Sequence, residues 1–127
     1  MVKEWFTRKK QRGQDSEARA AKWLEDQGLT LLTRNYHCRH GEIDLIMQAA
    51  DTLVFVEVRY RCDTAFGGAA ASVTPRKQQR LIAAARHYLA SSPGSASQAC
   101  RFDVLAMEPD QTGTVRYEWI TNAFYGE

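Results

Sequence analysis

The sequence has no long apolar run, and the longest, at residues 81–85 of 127, is far too short to cross a bilayer. The basic residues 1–12 are not followed by an apolar segment, so we expect no secretory signal there. The three cysteines, Cys38, Cys62 and Cys100, form no Cys-x-x-Cys pair, and an odd number cannot all be joined in disulfides. We therefore expect a protein of the reducing cytoplasm with no membrane association.

Acidic residues are absent from residues 64–102, and residues 1–12 contain five lysines or arginines against one acid. The net charge is nevertheless only +2, since acids dominate from residue 103 onward. This segregation predicts either a basic face that binds a polyanion or a basic surface that is merely solvated. The basic residues of the acid-free segment are Arg76, Lys77, Arg80, Arg86 and Arg101.

The remaining composition, 44% hydrophobic and 25% charged, is that of an ordinary globular protein. The length fits one domain, which we assign to residues 13–127, preceded by a flexible basic arm at residues 1–12. Hydrophobic periodicity and turn residues predict a mixed α/β domain with one central sheet, in the order α-β-β-β-α-β-β. The predicted helices span residues 15–27 and 75–90, and Thr74-Pro75 predicts the start of the second helix, with Thr74 as N-cap and Pro75 as its first residue. The predicted strands span residues 29–37, 39–48, 53–61, 100–107 and 115–121, and residues 63–72 form a loop.

Two acidic residues, Asp44 and Glu57, lie inside apolar strands, where an ionised carboxylate is costly. If residues 50 and 51 form the turn, residues whose numbers sum to 101 face each other, and these two acids become opposed. Carboxylates about 5 Å apart repel by about 3 kcal/mol at an effective dielectric constant of 20. A divalent cation such as Mg²⁺ or Mn²⁺ offsets this repulsion, because hard cations bind carboxylate oxygens.

The acids also have a simpler interpretation, in which Arg59 and Arg61 neutralise them as ion pairs. The same register opposes Glu42 to Arg59, which is such a pair. Glu17 is a third candidate for the cation site, because it shares the inward stripe of the first helix with Leu24. An acid in the first turn of a helix is also favoured by the helix dipole alone, so both interpretations of Glu17 stay open.

An acid on a helix, an aspartate on one strand and a Glu-x-basic motif on the next strand resemble the pattern of the PD-(D/E)XK nuclease superfamily. A longer match, over residues 13–124, resembles the YraN-like family of small bacterial proteins. The matching residues are Gly13, Glu17, Ala18, Leu24 and Gly28; Arg34-Asn35-Tyr36; Gly41-Glu42-Ile43-Asp44-Leu45; Phe55-Val56-Glu57-Val58-Arg59; Gly67; Ser72-Val73 with Lys77; Arg101-Phe102-Asp103-Val104; and Ala123-Phe124.

Members of this family are similar to archaeal Holliday-junction resolvases, so the resemblance implies a restriction-endonuclease-like fold, a mixed sheet flanked by helices. It also implies that Glu17, Asp44 and Glu57 bind Mg²⁺ or Mn²⁺, with the peptide carbonyl of Val58 as a further ligand. The implied activity is metal-dependent endonucleolytic hydrolysis of DNA, in particular branched or Holliday-junction-like DNA. Resolvases of this fold work as symmetric dimers, so a homodimer is a further expectation.

Arg59 occupies the lysine position of the superfamily, but arginine stays protonated and cannot act as a base. It can still hold a phosphate through its planar guanidinium group. Lys77, near the start of the second predicted helix, is a candidate replacement, although a plain surface lysine is the simpler interpretation. The alternative function is a non-catalytic nucleic-acid-binding module, and a third is a protein-interaction domain that uses Trp119, Phe124 and Tyr125.

Basic residues around the predicted site are expected to contact the DNA backbone. The first turn of the second predicted helix places basic side chains beside free backbone N–H groups, which favours phosphate binding. Such binding is sensitive to salt and indifferent to base sequence. The candidate phosphate-binding residues are Arg34, Arg39, Arg61, Arg76, Lys77 and Arg80.

Overall fold

The structure is a computed structural model that describes residues 15–60, 68–92 and 98–125. The predicted basic arm at residues 1–12, together with Arg61 and Cys62, lies outside these residues. Within the described part, no helix is both long enough and apolar enough to cross a membrane. The two described cysteines, Cys38 and Cys100, are free thiols.

A five-stranded mixed sheet forms the centre of the molecule, which confirms the predicted α/β class. The strands lie side by side in chain order, and only β3 and β4 are parallel neighbours. Parallel neighbours need a long crossover connection, and the main helix lies in that connection. The strands are β1 (Thr30–Cys38), β2 (Gly41–Ala49), β3 (Thr52–Tyr60), β4 (Ala99–Pro109) and β5 (Val115–Phe124).

The described part contains three helices, one more than the sequence predicted. Helix α1 spans residues 15–26 and is followed by Gly28, which has a φ of 103°. The N–H of Gly28 donates to the carbonyl of Glu25 at 2.9 Å. Helix α3 (Pro75–Ser91) begins where the Thr-Pro pair predicted. The short helix α2 (Gly68–Ala71) lies in the predicted loop, and this part of the loop assignment was wrong. A four-residue segment of glycine and alanine has no apolar periodicity, so the sequence did not predict this helix.

Helices α1 and α3 cover opposite faces of the sheet, so the molecule has two apolar cores. Alternation along β3 and β4 sends one set of side chains to each helix, whereas on β2 the alternation is interrupted at Asp44, since Ile43 and Ile46 lie in the same core. The α1 core contains Ala20, Ala21, Leu24, Leu45, Met47, Val54, Val56, Leu105 and Met107. The α3 core contains Ile43, Ile46, Leu53, Phe55, Leu81, Ala84, Ala85, Phe102 and Val104.

The hairpin of β2 and β3 has the predicted register. Its paired positions run from Leu45–Val56 to Ala49–Thr52, and every pair sums to 101. Ala50 begins the two-residue turn with a φ of 53°, a left-handed conformation that is uncommon for alanine. The predicted oppositions of Asp44 to Glu57 and of Glu42 to Arg59 lie beyond this ladder. Glu42 instead pairs with His37 on β1, with 3.3 Å between its carboxylate and Nδ1.

Local features define where α3 begins and how closely it approaches the sheet. The Thr74 hydroxyl accepts the N–H of Lys77 at 3.2 Å and so caps the helix, while Pro75 fixes its first residue. Gly41 lies against the helix, because a Cβ at this position would stand 3.1 Å from the carbonyl oxygen of Arg80. The second turn of α3, at Arg80, therefore lies against the beginning of β2.

Aromatic side chains fasten β5 to the rest of the fold. Trp23 of α1 stacks on Tyr117 with 5.0 Å between ring centroids and meets Trp119 edge-on at 6.1 Å. Phe124 stacks on Phe102 at 4.9 Å on the other face. Two of the three aromatic residues considered for protein interaction thus pack within the fold, and Tyr125 is 79% exposed.

Candidate active site

Asp44 lies where the pairing between β2 and β3 ends. Its Oδ2 accepts the backbone N–H of Val58 at 2.9 Å, so a side-chain oxygen takes the place of a strand carbonyl. The bond fixes one carboxylate oxygen and leaves the other for further contacts. In an extended strand the N–H and C=O of one residue point to the same side, so the Val58 carbonyl lies on the Asp44 side of β3.

Glu57 is buried beside Asp44, with only 6% of its surface exposed. Burial, the charge of Asp44 and a hydrogen bond between the two carboxyl groups raise the pKa of Glu57 from 4.5 to about 8. Lys77 acts in the opposite direction and lowers this pKa. The structure therefore brings the two strand acids into contact, with the Lys77 ammonium beside Glu57.

Glu17 reaches the same aspartate from α1, on the other side of the sheet. Partial burial, the charge of Asp44 and a hydrogen bond with it raise the pKa of Glu17 to about 7, while Arg34 lowers it. Asp44 thus lies between two glutamates, one from a helix and one from a strand. The helix dipole alone does not account for Glu17, because the dipole would lower its pKa rather than raise it.

The donor chemistry of this acidic cluster, Glu17, Asp44 and Glu57, suits a hard divalent cation, because all its ligand atoms are oxygens. Among the described residues, no three histidine, cysteine, aspartate or glutamate side chains are arranged to hold a metal ion as they stand. The acids are instead joined pairwise through Asp44. Burial and the neighbouring charge of Asp44 raise the pKa values of both glutamates, although Arg34 and Lys77 act in the opposite direction.

A cleft of about 670 Å³ opens beside the acidic cluster, between the ends of β2 and β3 and the first turns of α3. Lys77 crosses it, with its Nζ 3.3 Å from Oε1 of Glu57. One wall of the cleft is acidic and the other is basic, which lets it hold a cation and an anion side by side. The described residues that line it are Glu42, Asp44, Glu57, Thr74, Arg76, Lys77, Arg80 and Leu81.

Three of the six predicted phosphate-binding residues, Arg76, Lys77 and Arg80, line this cleft. Arg34 lies on the α1 side and interacts with Glu17. Arg39 is exposed in the turn between β1 and β2. Arg61 falls outside the described residues.

Arg59 makes a different contact from the one expected at a lysine position of the superfamily. Its Nε donates to the Ser72 hydroxyl at 3.0 Å, and that hydroxyl donates to the carbonyl of Ala69 at 2.5 Å. Arg59 is not among the described residues that line the cleft. This side chain therefore ties β3 to α2.

Comparison with known proteins identifies the family of this chain. A family model described as "Uncharacterised protein family UPF0102" matches residues 16–107, which include Glu17, Asp44, Glu57 and Lys77. The chain belongs to the UPF0102 family. A UPF0102 protein of Alcanivorax borkumensis is 58% identical over 119 residues, covering 94% of this chain and 95% of that protein. UPF0102 proteins of Aeromonas hydrophila and Nitrosomonas eutropha are 57% identical over 114 residues and 54% identical over 115 residues. These matches cover 89% and 91% of this chain and 84% and 94% of the relatives.

The sequence motifs did not reveal every residue of the site in this UPF0102 protein. Thr74 was recognised as a helix cap, but not as a residue that lines the cleft. Ser72 matched the family pattern but was given no role, because its contact with Arg59 depends on where α2 lies. Glu42 was expected opposite Arg59 and instead pairs with His37 at the mouth of the cleft.

Proposed function

We propose that this UPF0102 protein is a divalent-metal-dependent nuclease of the PD-(D/E)XK superfamily, with a restriction-endonuclease-like fold, that hydrolyses phosphodiester bonds in DNA. The observation that carries the proposal is the contact of Asp44 with both Glu17 and Glu57 beside a cleft lined by three basic residues. A mixed sheet covered by a helix on each face, with acids on α1, β2 and β3, supports the fold assignment.

The acidic cluster and the Val58 carbonyl would hold Mg²⁺ or Mn²⁺. When bound, such an ion lowers the pKa of a coordinated water molecule and polarises a phosphate oxygen. The N–H of Val58 orients Asp44 and keeps its second oxygen directed toward the cluster. Glu17 and Glu57 would bind the cation as carboxylates, so their raised pKa values would make metal binding depend on pH.

The basic wall of the cleft would hold the DNA backbone. Arg76 and Arg80 present guanidinium groups within reach of a phosphate at the acidic cluster. Such contacts recognise phosphates rather than base edges, so affinity depends on salt concentration and on the shape of the DNA. Branched or otherwise structured DNA is accordingly the substrate class that we expect.

A cleavage assay tests this proposal. We expect the full chain to cut branched DNA in Mg²⁺ or Mn²⁺ but not in EDTA, with single-stranded and linear duplex DNA as comparison substrates. Asp44→Asn and Glu57→Gln each remove a ligand charge and should reduce the cleavage rate at least about a hundredfold. Glu25→Gln is the matched control, since Glu25 is exposed on α1 away from the cluster, and it should cleave like the wild type. Absence of metal-dependent cleavage by the folded wild type, or full activity of both site variants, would contradict the proposal.

A non-catalytic nucleic-acid-binding module is the second candidate, and the contact of Arg59 favours it. The cationic residue at the lysine position donates to Ser72, so the superfamily's usual catalytic lysine is not reproduced on β3. In this case DNA binding would survive both acid-to-amide substitutions, and neither Mg²⁺ nor Mn²⁺ would support cleavage by any form of the protein. A filter-binding or anisotropy titration of the same variants separates the two candidates.

A further inference from the structure

The two residues of the Lys77–Glu57 ion pair differ in their exposure to solvent. The Glu57 side chain is 7% exposed and that of Lys77 is 40% exposed, so a buried carboxylate depends on a cation that reaches in from solvent. A buried carboxylate without a nearby positive charge is costly. Lys77 is the cation that the structure supplies to Glu57.

The backbone of Lys77 is fixed, whereas its side chain spans the cleft. The Thr74 hydroxyl accepts the N–H of Lys77, and Pro75 sets the start of the helix. Four flexible methylene groups carry the ammonium, which leaves it free to move within the cleft while its Cα stays in place. The same cleft contains Arg76 and Arg80, so an ammonium that leaves Glu57 remains beside other phosphate-binding groups.

Arg59 lies two residues from Glu57 in the sequence, and its Nε donates to the Ser72 hydroxyl and thereby holds α2. Lys77 of α3 places its ammonium 3.3 Å from Glu57, while Arg34 of β1 interacts with Glu17.

We propose that Lys77 is the resident counter-ion of the acidic cluster, which pairs with Glu57 until a divalent cation binds there and then contacts a phosphate of the nucleic acid. The inference rests on the proposed function, because it needs both a divalent cation and a polyanion at the same site. An ammonium and a divalent cation repel each other, so they compete for the Glu57 oxygens. Competition lowers metal affinity in the free protein, and the released ammonium strengthens binding of DNA when metal is present.

The first test is the affinity of the full chain for Mn²⁺ alone, measured by isothermal titration calorimetry at low salt. Loss of the competing charge in Lys77→Met should tighten Mn²⁺ binding about fivefold, and Lys77→Gln should do the same. Lys22→Met removes an exposed lysine from α1 and should leave the affinity unchanged. Unchanged or weaker Mn²⁺ binding in both Lys77 variants would overturn the inference.

The second test is the salt dependence of branched-DNA binding in Ca²⁺, a hard cation that takes oxygen ligands. Loss of one phosphate contact should reduce the slope of log affinity against log salt by about 0.9 in Lys77→Met, with no change in Lys22→Met. An unchanged slope would overturn the phosphate contact. If Mn²⁺ binds more tightly to Lys77→Met while the wild type cuts no DNA, the nuclease proposal fails and the counter-ion stands. If neither protein binds Mn²⁺, both fail.

Discussion

At the scale of single residues, Asp44 is the central residue of the acidic cluster. It accepts the N–H of Val58 and contacts Glu57 and Glu17, which come from different elements. The sequence predicted the two strand acids, because Asp44 and Glu57 interrupt apolar runs. It left Glu17 undecided, because an acid at the start of a helix has an explanation within the helix itself. The bond to Val58 was not predictable, since it forms only where the β2–β3 ladder ends.

The raised pKa values predict how stability depends on pH when no metal is present. Glu57 has a pKa of about 8 in the folded protein against an ordinary value of 4.5, and Glu17 has about 7. Between these values the folded chain keeps protons that the unfolded chain has released, so its stability falls as pH rises. Urea unfolding in EDTA should show a loss on the order of a few kcal/mol between pH 5 and pH 9.

Glu57→Gln provides the comparison for this pH dependence. The amide cannot ionise, so the variant should lose less stability than the wild type between the same two pH values. A wild-type stability that stays constant or increases from pH 5 to pH 9 in EDTA would contradict the assignment of shared protons to the acidic cluster.

At the scale of elements, Asp103 is a second buried acid, and its role is structural. Asp103 of β4 is fully buried, and both of its carboxylate oxygens accept hydrogen bonds. Nε of Arg101 donates to the carboxylate at 3.1 Å, the indole N–H of Trp119 at 2.9 Å and the backbone N–H of Asn122 at 3.0 Å. The pairing of β4 with β5 shifts at this point, and Asn122 has a φ of 50°. Asp103 therefore stabilises the irregular part of β5, and both of its oxygens accept hydrogen bonds from protein donors, one of which is the guanidinium of Arg101.

We expect Asp103→Asn to destabilise the protein by about 2–4 kcal/mol, because it leaves the partly buried Arg101 without its counter-charge. Urea unfolding at pH 7 measures the loss, and the near-UV circular dichroism of Trp119 should change with it. Glu108→Gln alters an exposed acid on the same strand and should stay within about 0.5 kcal/mol of the wild type. Equal stability of the two variants would show that Asp103 does not hold β5.

Some features of the helices and strands were predictable from the sequence, and others were not. The register of β2 and β3 was predictable, because the apolar residues face the core only in one alignment. The Thr-Pro pair predicted the start of α3. The irregularity in β5 was not predictable, because it depends on the contacts of Asp103 with Trp119 and Asn122, which are 16 and 19 positions away. Helix α2 depends on Arg59 and Ser72, which are 13 positions apart.

At the scale of the whole molecule, helices from both faces of the sheet contribute side chains at the acidic cluster. Helix α1 brings Glu17 from one face of the sheet, and α3 brings Lys77 from the other. The opening between the ends of β2 and β3 lets Asp44 reach both sides. The family resemblance predicted which acids would converge, but it did not reveal that Lys77 and Glu57 are 3.3 Å apart. The distance between two side chains on separate elements cannot be read from their separation in the sequence.

The most direct measurement is the anomalous diffraction of a crystal of the full chain soaked in Mn²⁺. We predict one strong peak at the acidic cluster, bonded to carboxylate oxygens of Asp44 and Glu57, with the Lys77 ammonium moved away from Glu57. A map with no peak at that position while the pair of Lys77 with Glu57 stays intact would contradict a metal-dependent site in this protein.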